Sequence, residues 1–244
     1  MSKLCINEDK TTLLIFQKPK HEEETKDLEI ETNDDKENVK PTEQAKIKGY
    51  LTNIRGSMLP QMNKIVSEVS YMLNTTNKMS KYLTFEARKN FVNSYVIGKL
   101  NYSLPLMCGQ QDYIKQKVHT VLMRAGRFAR VSYCYKESTD SILKSINLKN
   151  HEQLIAESGA KFVHKVIFHK NPVSILSKYR PPRSRPSSDY VLTLMPKQRR
   201  FPRTLINAAI HEYNRLPEDM RSMEPSKMKS ELKSRGLLKQ KPRS

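Results

Sequence analysis

Phosphoryl transfer by two metals needs carboxylates that hold two divalent ions about 3.5–4 Å apart. The only adjacent aspartates in this chain are Asp34-Asp35. They stand between Asn33 and Lys36 with no apolar strand to fix them, which reads as a solvated charge run. Glu8-Asp9 directly precedes Lys10 and reads as a turn. The sequence has no Ser-His-Asp arrangement and no phosphate-cradling glycine loop among its 7 glycines. Its histidines (His21, His119, His151, His164, His169, His211) show no paired ligand spacing; His164 and His169 would lie more than about 100° apart on a helix. Cys5, Cys108 and Cys134 are too scattered for a zinc site or a disulfide framework. No metal site is expected, and the cysteine usage suits a reduced intracellular setting, cytoplasm or nucleus.

Cations remain as the residues able to do chemistry, and their chemistry is the binding of polyanions. Residues 1–45 hold 7 Lys/Arg against 12 Asp/Glu, whereas residues 46–244 hold 37 against 13, for a net charge of +19. So basic a body takes nucleic acid as its default partner. Two clusters could supply phosphate contacts. Lys115, Lys117, Arg124, Arg127 and Arg130 recur on one side of a helical stretch; Arg180, Arg183, Arg185, Lys197, Arg199, Arg200 and Arg203 crowd a proline-rich segment. Tyr113, Tyr179 and Phe201 interleave as base stacking would want, although core packing is the better use for Phe201. No run of about 18 apolar residues is present, so no membrane span is expected.

The elements that would position these residues follow from periodicity. Leu13–Phe16 is a short apolar run suited to a buried strand, with the segment Ile47–Leu51 as its hairpin partner and Gly49 and Gly56 at a bulge or close approach. Residues 17–45 form a charged connector with little to bury, apart from one strand at Leu28-Glu29-Ile30. From Pro60 the period becomes helical. Met62, Ile65, Val66, Val69, Met72 and Leu73 make one stripe. A second helix starts after the cap Thr84, turns Phe85, Ala87, Phe91, Val92, Tyr95 and Leu100 inward, and ends at Leu104-Pro105 and Gly109. A third, from Asp112, puts Ile114, Val118, Val121, Leu122, Ala125 and Phe128 inside and the five cations outside. Helices over Ser138–Ile146 and His151–His169 follow, the latter with Leu154, Ile155, Phe162, Val163, Val166 and Ile167 inward. An extended basic crossing with one edge strand spans 179–203, where prolines forbid a helix, and helices over Pro202–Arg215 and Ser226–Arg235 finish the chain. The fold class is mainly α, a small β-hairpin followed by a helical bundle.

Four phrases in fixed order carry a family resemblance: Leu4-Cys5-Ile6-Asn7-Glu8-Asp9-Lys10-Thr11-Thr12-Leu13-Leu14-Ile15-Phe16, then Lys46–Asn53, then Tyr213-Asn214-Arg215-Leu216-Pro217-Glu218-Asp219-Met220-Arg221, then Ser226–Lys233. Over nearly all of residues 2–235 the chain resembles the back end of a reverse transcriptase of the non-LTR (LINE-like, jockey-type) retrotransposons. The resemblance implies the end of a polymerase palm over 1–56, a helical thumb over 57–178, the basic crossing over 179–203 and C-terminal helices over 204–244. It implies that Lys10 approaches the incoming nucleotide's phosphates or acts as a general acid on the leaving pyrophosphate; outside the resemblance Lys10 is a turn lysine. It also implies that the thumb grips an RNA or RNA–DNA duplex by its backbone. The metal-binding aromatic-Ala-Asp-Asp turn that precedes Leu4 in the family is not in the sequence. The expectation is therefore a fragment of an RNA-directed DNA polymerase that retains duplex binding and is inactive alone, without the Mg²⁺ that an intact polymerase needs, with Met1 an internal methionine of a longer frame. Tyr213 stands where the family has Trp and Met228 where it has Phe, as in an old or divergent copy. The alternatives are a free-standing or domesticated basic helical module that binds RNA or a protein partner, and a decayed element without activity.

Overall fold

The computed structural model describes residues 12–14, 28–31, 36–39, 42–47, 49–130, 137–170, 179–180, 193–194 and 205–235. The fold is mainly α with a small β-hairpin, and it divides into two compact units, residues 1–64 and 65–244.

In the first unit, β1 (Leu28–Glu31) pairs antiparallel with β2 (Lys36–Val39), and β3 (Gln44–Ile47) with β4 (Tyr50–Asn53). Two expectations change here. Residues 46–51 are not one strand but the two arms of a tight hairpin, with Ile47 opposite Tyr50 and Gly49 at φ 90°. Only a residue without Cβ takes that conformation cheaply, and this fixes the register. The partner of β3 is therefore β4 rather than the stretch at Leu13, which instead accepts a hydrogen bond from the Thr42 amide at 2.9 Å. The charged connector likewise carries an antiparallel pair, β1–β2; Asp34 and Asp35 lie outside the described residues. Asn53 organises the exit from β4. Its Oδ1 accepts from the amides of Arg55 (3.2 Å) and Ser57 (2.9 Å), and Gly56 takes φ 65°. Gln61, buried, then accepts from the Leu51 amide at 3.0 Å and ties β4 to the first helical turn.

Helix α1 (Leu59–Asn77) has Pro60 in its first turn, where a missing amide costs nothing. Its stripe is as read: Met62, Ile65, Val69 and Leu73 are buried, Val66 and Met72 half-buried. In the second unit a 3₁₀ turn (Ser80–Tyr82) leads to α2 (Phe85–Phe91), capped by Thr84, whose hydroxyl accepts from the Ala87 amide. A π-helical segment (Val92–Ile97) joins α2 to α3 (Gly98–Met107). The π segment changes the helix phase. Arg88, Val92, Val96 and Leu100 are buried at steps of four, a spacing that drifts by about 120° over three steps in a pure α-helix. Phe85 and Ala87, expected inside, are exposed as a result. Pro105, expected to end the helix, lies inside it, near enough to the end that one lost hydrogen bond is tolerated.

The core is built by α4 (Asp112–Ala129), α5 (Thr139–Ser145) and α6 (His151–His169), closed by α7 (Leu205–Asn214), α8 (Glu218–Ser222) and α9 (Pro225–Arg235). All six residues expected inside α4 are buried. Helix α6 packs against α3, α4, α7 and α9, and Asn150 caps it, Oδ1 accepting from the Gln153 amide at 2.9 Å. Gly159 lets α7 approach: a Cβ there would meet Cys108 Sγ and lie 3.4 Å from Ala209. The basic crossing contributes one antiparallel pair, β5 (Tyr179–Arg180) with β6 (Thr193–Leu194).

Candidate nucleic-acid interface

Helix α4 presents its cations because its apolar stripe has the helical period. At 100° per residue, Tyr113, Lys117, Thr120, Arg124 and Arg127 fall within a sector of about 80° on the side away from the buried residues. Tyr113, Thr120, Arg124 and Arg127 are exposed and Lys117 half-buried. Asp112 is the only carboxylate in the helix, and it stands in the first turn, where the helix dipole favours it.

A second helix borders this sector. Arg124 Nη1 donates to Ser70 Oγ on α1, and the Ser70 hydroxyl donates onward to Val66 O at 2.5 Å. Ser67, Ser70, Asn74 and Asn77 lie within about 80° of one another on α1. This neutral polar stripe beside a basic stripe combines the two kinds of side chain that contact phosphate and sugar oxygens. The nearby carboxylate Glu68 points elsewhere and pairs with Lys99. That contact, chiefly the hydrogen bond, pushes the Lys99 ammonium up from its ordinary value, and Lys99 also lies 5.2 Å from the Tyr95 ring centroid.

Not all five α4 cations are alike. Lys115 lies about 160° from Lys117 around the helix and pairs with Asp112 at 3.2 Å. Arg130, the C-cap residue, pairs with Glu137 at 2.5 Å. The Arg130 hydrogen bond, helped by Ser141, holds the Glu137 carboxyl below its ordinary range. Lys117, Arg124 and Arg127 thus form the outward set, while Lys115 and Arg130 hold the helix ends. Of the other expected contacts, Arg180 lies in β5. Arg183, Arg185, Lys197, Arg199, Arg200 and Arg203, with Lys10 and Phe201, lie outside the described residues.

Several polar residues that periodicity assigned no role are buried or half-buried and contact specific neighbours. Arg88 donates through Nε to Ala129 O (3.1 Å) and through Nη1 to Ser80 O (3.0 Å) and Leu83 O (2.8 Å). It thereby joins the C-terminus of α4 to the turn before α2. Glu157, buried in α6, pairs with Lys149 at 2.5 Å and Lys161 at 3.5 Å. Burial pushes the Lys161 ammonium down, and Lys149 also donates to Leu232 O of α9 at 2.7 Å. His119 and His151 meet edge to face at 5.0 Å between ring centroids; burial and then the His119 charge push His151 down. Cys108 donates to Ile155 O at 3.3 Å, and burial pushes its thiol up to about 12, making it an inert packing group.

Among the described residues, no three His, Cys, Asp or Glu side chains come together as a metal site. No helix among the described residues is long and apolar enough to cross a membrane. In comparisons with known proteins, no family model, no curated protein and no solved structure matches this chain.

Proposed function

We propose that this chain is the back end of a retrotransposon reverse transcriptase and that its remaining activity is to hold a template–primer duplex by the backbone. The observation that carries the reading is the outward sector of Lys117, Arg124 and Arg127 on α4, bordered by Ser67, Ser70, Asn74 and Asn77 on α1. Cations at one-turn and two-turn spacing with hydroxyls and amides beside them match a row of phosphates and read no base. A duplex of A-like shape is recognised in that way, through backbone and 2′-hydroxyl contacts. The reading places the chain with nucleic acid inside the cell.

Fluorescence anisotropy with a labelled RNA–DNA duplex tests it. If about five phosphates are neutralised, log K falls with log salt at a slope of about −4.5. Changing Lys117, Arg124 and Arg127 together to Glu weakens binding to every duplex sequence alike and flattens the slope by about 3, while helical circular dichroism is unchanged. Unaltered affinity and slope in the folded triple variant would remove α4 from the interface.

A second reading, a free-standing basic module, is favoured by one observation: residues 65–244 form a compact unit in which α7 and α9 close the core on α6.

A further inference from the structure

The turn between α1 and α2 carries large side chains that the core does not use. Met79, Tyr82 and Phe85 are 61%, 76% and 38% exposed within seven residues of one another. Large apolar side chains grouped on one short turn and rimmed by charged residues mark an interaction site more than singly exposed ones do. Cations accompany both rings: Lys81 Nζ lies 4.9 Å from the Tyr82 ring centroid and Lys89 Nζ 6.0 Å from that of Phe85. Over residues 78–89 the chain has four cations against the single carboxylate Glu86, which sits 3.8 Å from Lys89.

The turn is also held rigid. Arg88, only 8% exposed, donates Nη1 to both Ser80 O and Leu83 O, the carbonyls on either side of Tyr82, while its Nε is anchored on Ala129 O. Thr84 caps the helix that starts with Phe85. A buried cation thus fixes the backbone of a turn whose rings face solvent, so little ordering remains to be done on binding.

We propose that this turn is a stacking platform for unpaired bases, so that the protein binds single-stranded nucleic acid at a place separate from the duplex face of α4. Rings flanked by cations fit the two parts of a nucleotide, since a base presents its face to Tyr82 or Phe85 while its phosphate meets Lys81 or Lys89. A duplex keeps its base faces stacked and offers these rings nothing. A lipid surface is served better by a long helix with one apolar face than by single rings on a 3₁₀ turn. The proposal stands on other residues than the duplex reading and does not depend on it.

The chain contains no tryptophan, so Tyr82→Trp in the full chain makes the sole tryptophan a fluorescent reporter at the platform, excited selectively beyond the tyrosine band. An oligouridylate of about ten nucleotides, within the span such platforms cover, should quench it. Tyr82→Ala with Phe85→Ala should weaken oligouridylate binding roughly 5- to 150-fold per stacked base and leave duplex affinity unchanged. Lys81→Glu, a change on an exposed residue, should weaken the same ligand. The charge reversal on α4 should weaken duplex binding without removing the quench of the Tyr82→Trp reporter. An unquenched reporter, an unchanged oligouridylate affinity in the folded alanine variant, or an equal loss on duplex and single strand would each overturn the proposal. So would a reporter that responds to phosphatidylserine vesicles and not to the oligonucleotide, which would make the turn a membrane contact.

Discussion

Two helical glycines of this protein should respond to the same substitution with opposite sign. Gly98 opens α3 and is exposed; a Cβ built there meets nothing within 4 Å. Alanine at that position loses less backbone entropy on folding and contacts no neighbour, so Gly98→Ala should stabilise by about 0.4–1 kcal/mol. Gly159, in the middle of α6, should gain the same helical propensity but suffer a collision. Its Cβ would overlap Cys108 Sγ, and on the other side the backbone of Ala209 in α7 lies 3.4 Å away. Cys108 has one side-chain torsion, is 3% exposed, and is held by its hydrogen bond to Ile155 O; its sulfur cannot swing clear. Overpacking by one methyl costs about 1–3 kcal/mol, which outweighs the propensity gain and leaves Gly159→Ala about 1–2 kcal/mol less stable. For a chain of this size that is a fall in Tm of roughly 2–8 °C. Urea denaturation followed by helical circular dichroism reads both variants. A cycle with Cys108→Ala isolates the cause, since removing Sγ should make Gly159→Ala nearly neutral, with a coupling of about 1 kcal/mol or more. If Gly159→Ala were stabilising like Gly98→Ala, or if the cycle showed no coupling, the close packing of Gly159 against Cys108 would be wrong.

Arg88→Met keeps the length and apolar stem of the side chain but leaves the carbonyls of Ala129, Ser80 and Leu83 without their charged donor. It should cost about 2–4 kcal/mol and expose the 80–83 turn to protease, and cleavage as slow as in the parent would refute its anchoring role. His151 and His164 both sit below the ordinary histidine value of 6.5, chiefly through burial, so the unfolded chain takes up their protons first as pH falls. Their contribution to stability is complete above 6.5 and is lost as pH drops through the lower folded-state values. The urea midpoint should therefore decline below about pH 6.5, and His164→Gln should flatten that decline; a midpoint independent of pH would refute the assignment.

How much could be read from residues alone differs between elements for physical reasons. The extent and the apolar face of α4 were legible, since a single unbroken α-period sets them, whereas Lys115, expected outside with the other cations, lies about 160° from Lys117. The ends of α6 were legible too, where Asn150 supplies the cap. The α2–α3 stretch was misread at Phe85 and Ala87, because nothing in the residues Val92–Ile97 marks the extra residue per turn that rotates the face. Arg88 and Glu157 were missed for another reason. Charge argues for the surface until a neighbour supplies partners, and their partners come from Ala129, 41 positions away, and from Lys149. At the candidate interface the outward direction of Lys117, Arg124 and Arg127 was legible, but the pairing of the α4 cations was not. Arg130 is engaged by Glu137, seven positions on, and Arg124 by Ser70 on another helix.

The phrase that best carries the resemblance, at the end of the chain, is a packing phrase. Tyr213, Leu216 and Met220 are buried, as are Met228 and Leu232 in α9. Each fully buried aliphatic or aromatic side chain contributes about 1.5–3 kcal/mol. Such positions demand volume and apolarity, and Tyr213 and Met228, both fully buried, supply them to the closure of the bundle. Lys149 completes the closure by bridging the Glu157 carboxylate and Leu232 O. It follows that the ending can persist for the sake of the core whether or not the chain ever meets a primer. Function has to be sought where selection for packing is silent, on Lys117, Arg124 and Arg127 and on Tyr82 and Phe85, none of which the core buries. Substitutions at the first three should change salt-dependent duplex binding, and those at the last two base stacking. Substitutions in the ending phrase should change stability alone, and a core variant such as Leu232→Ala that altered binding without altering the unfolding midpoint would break that division.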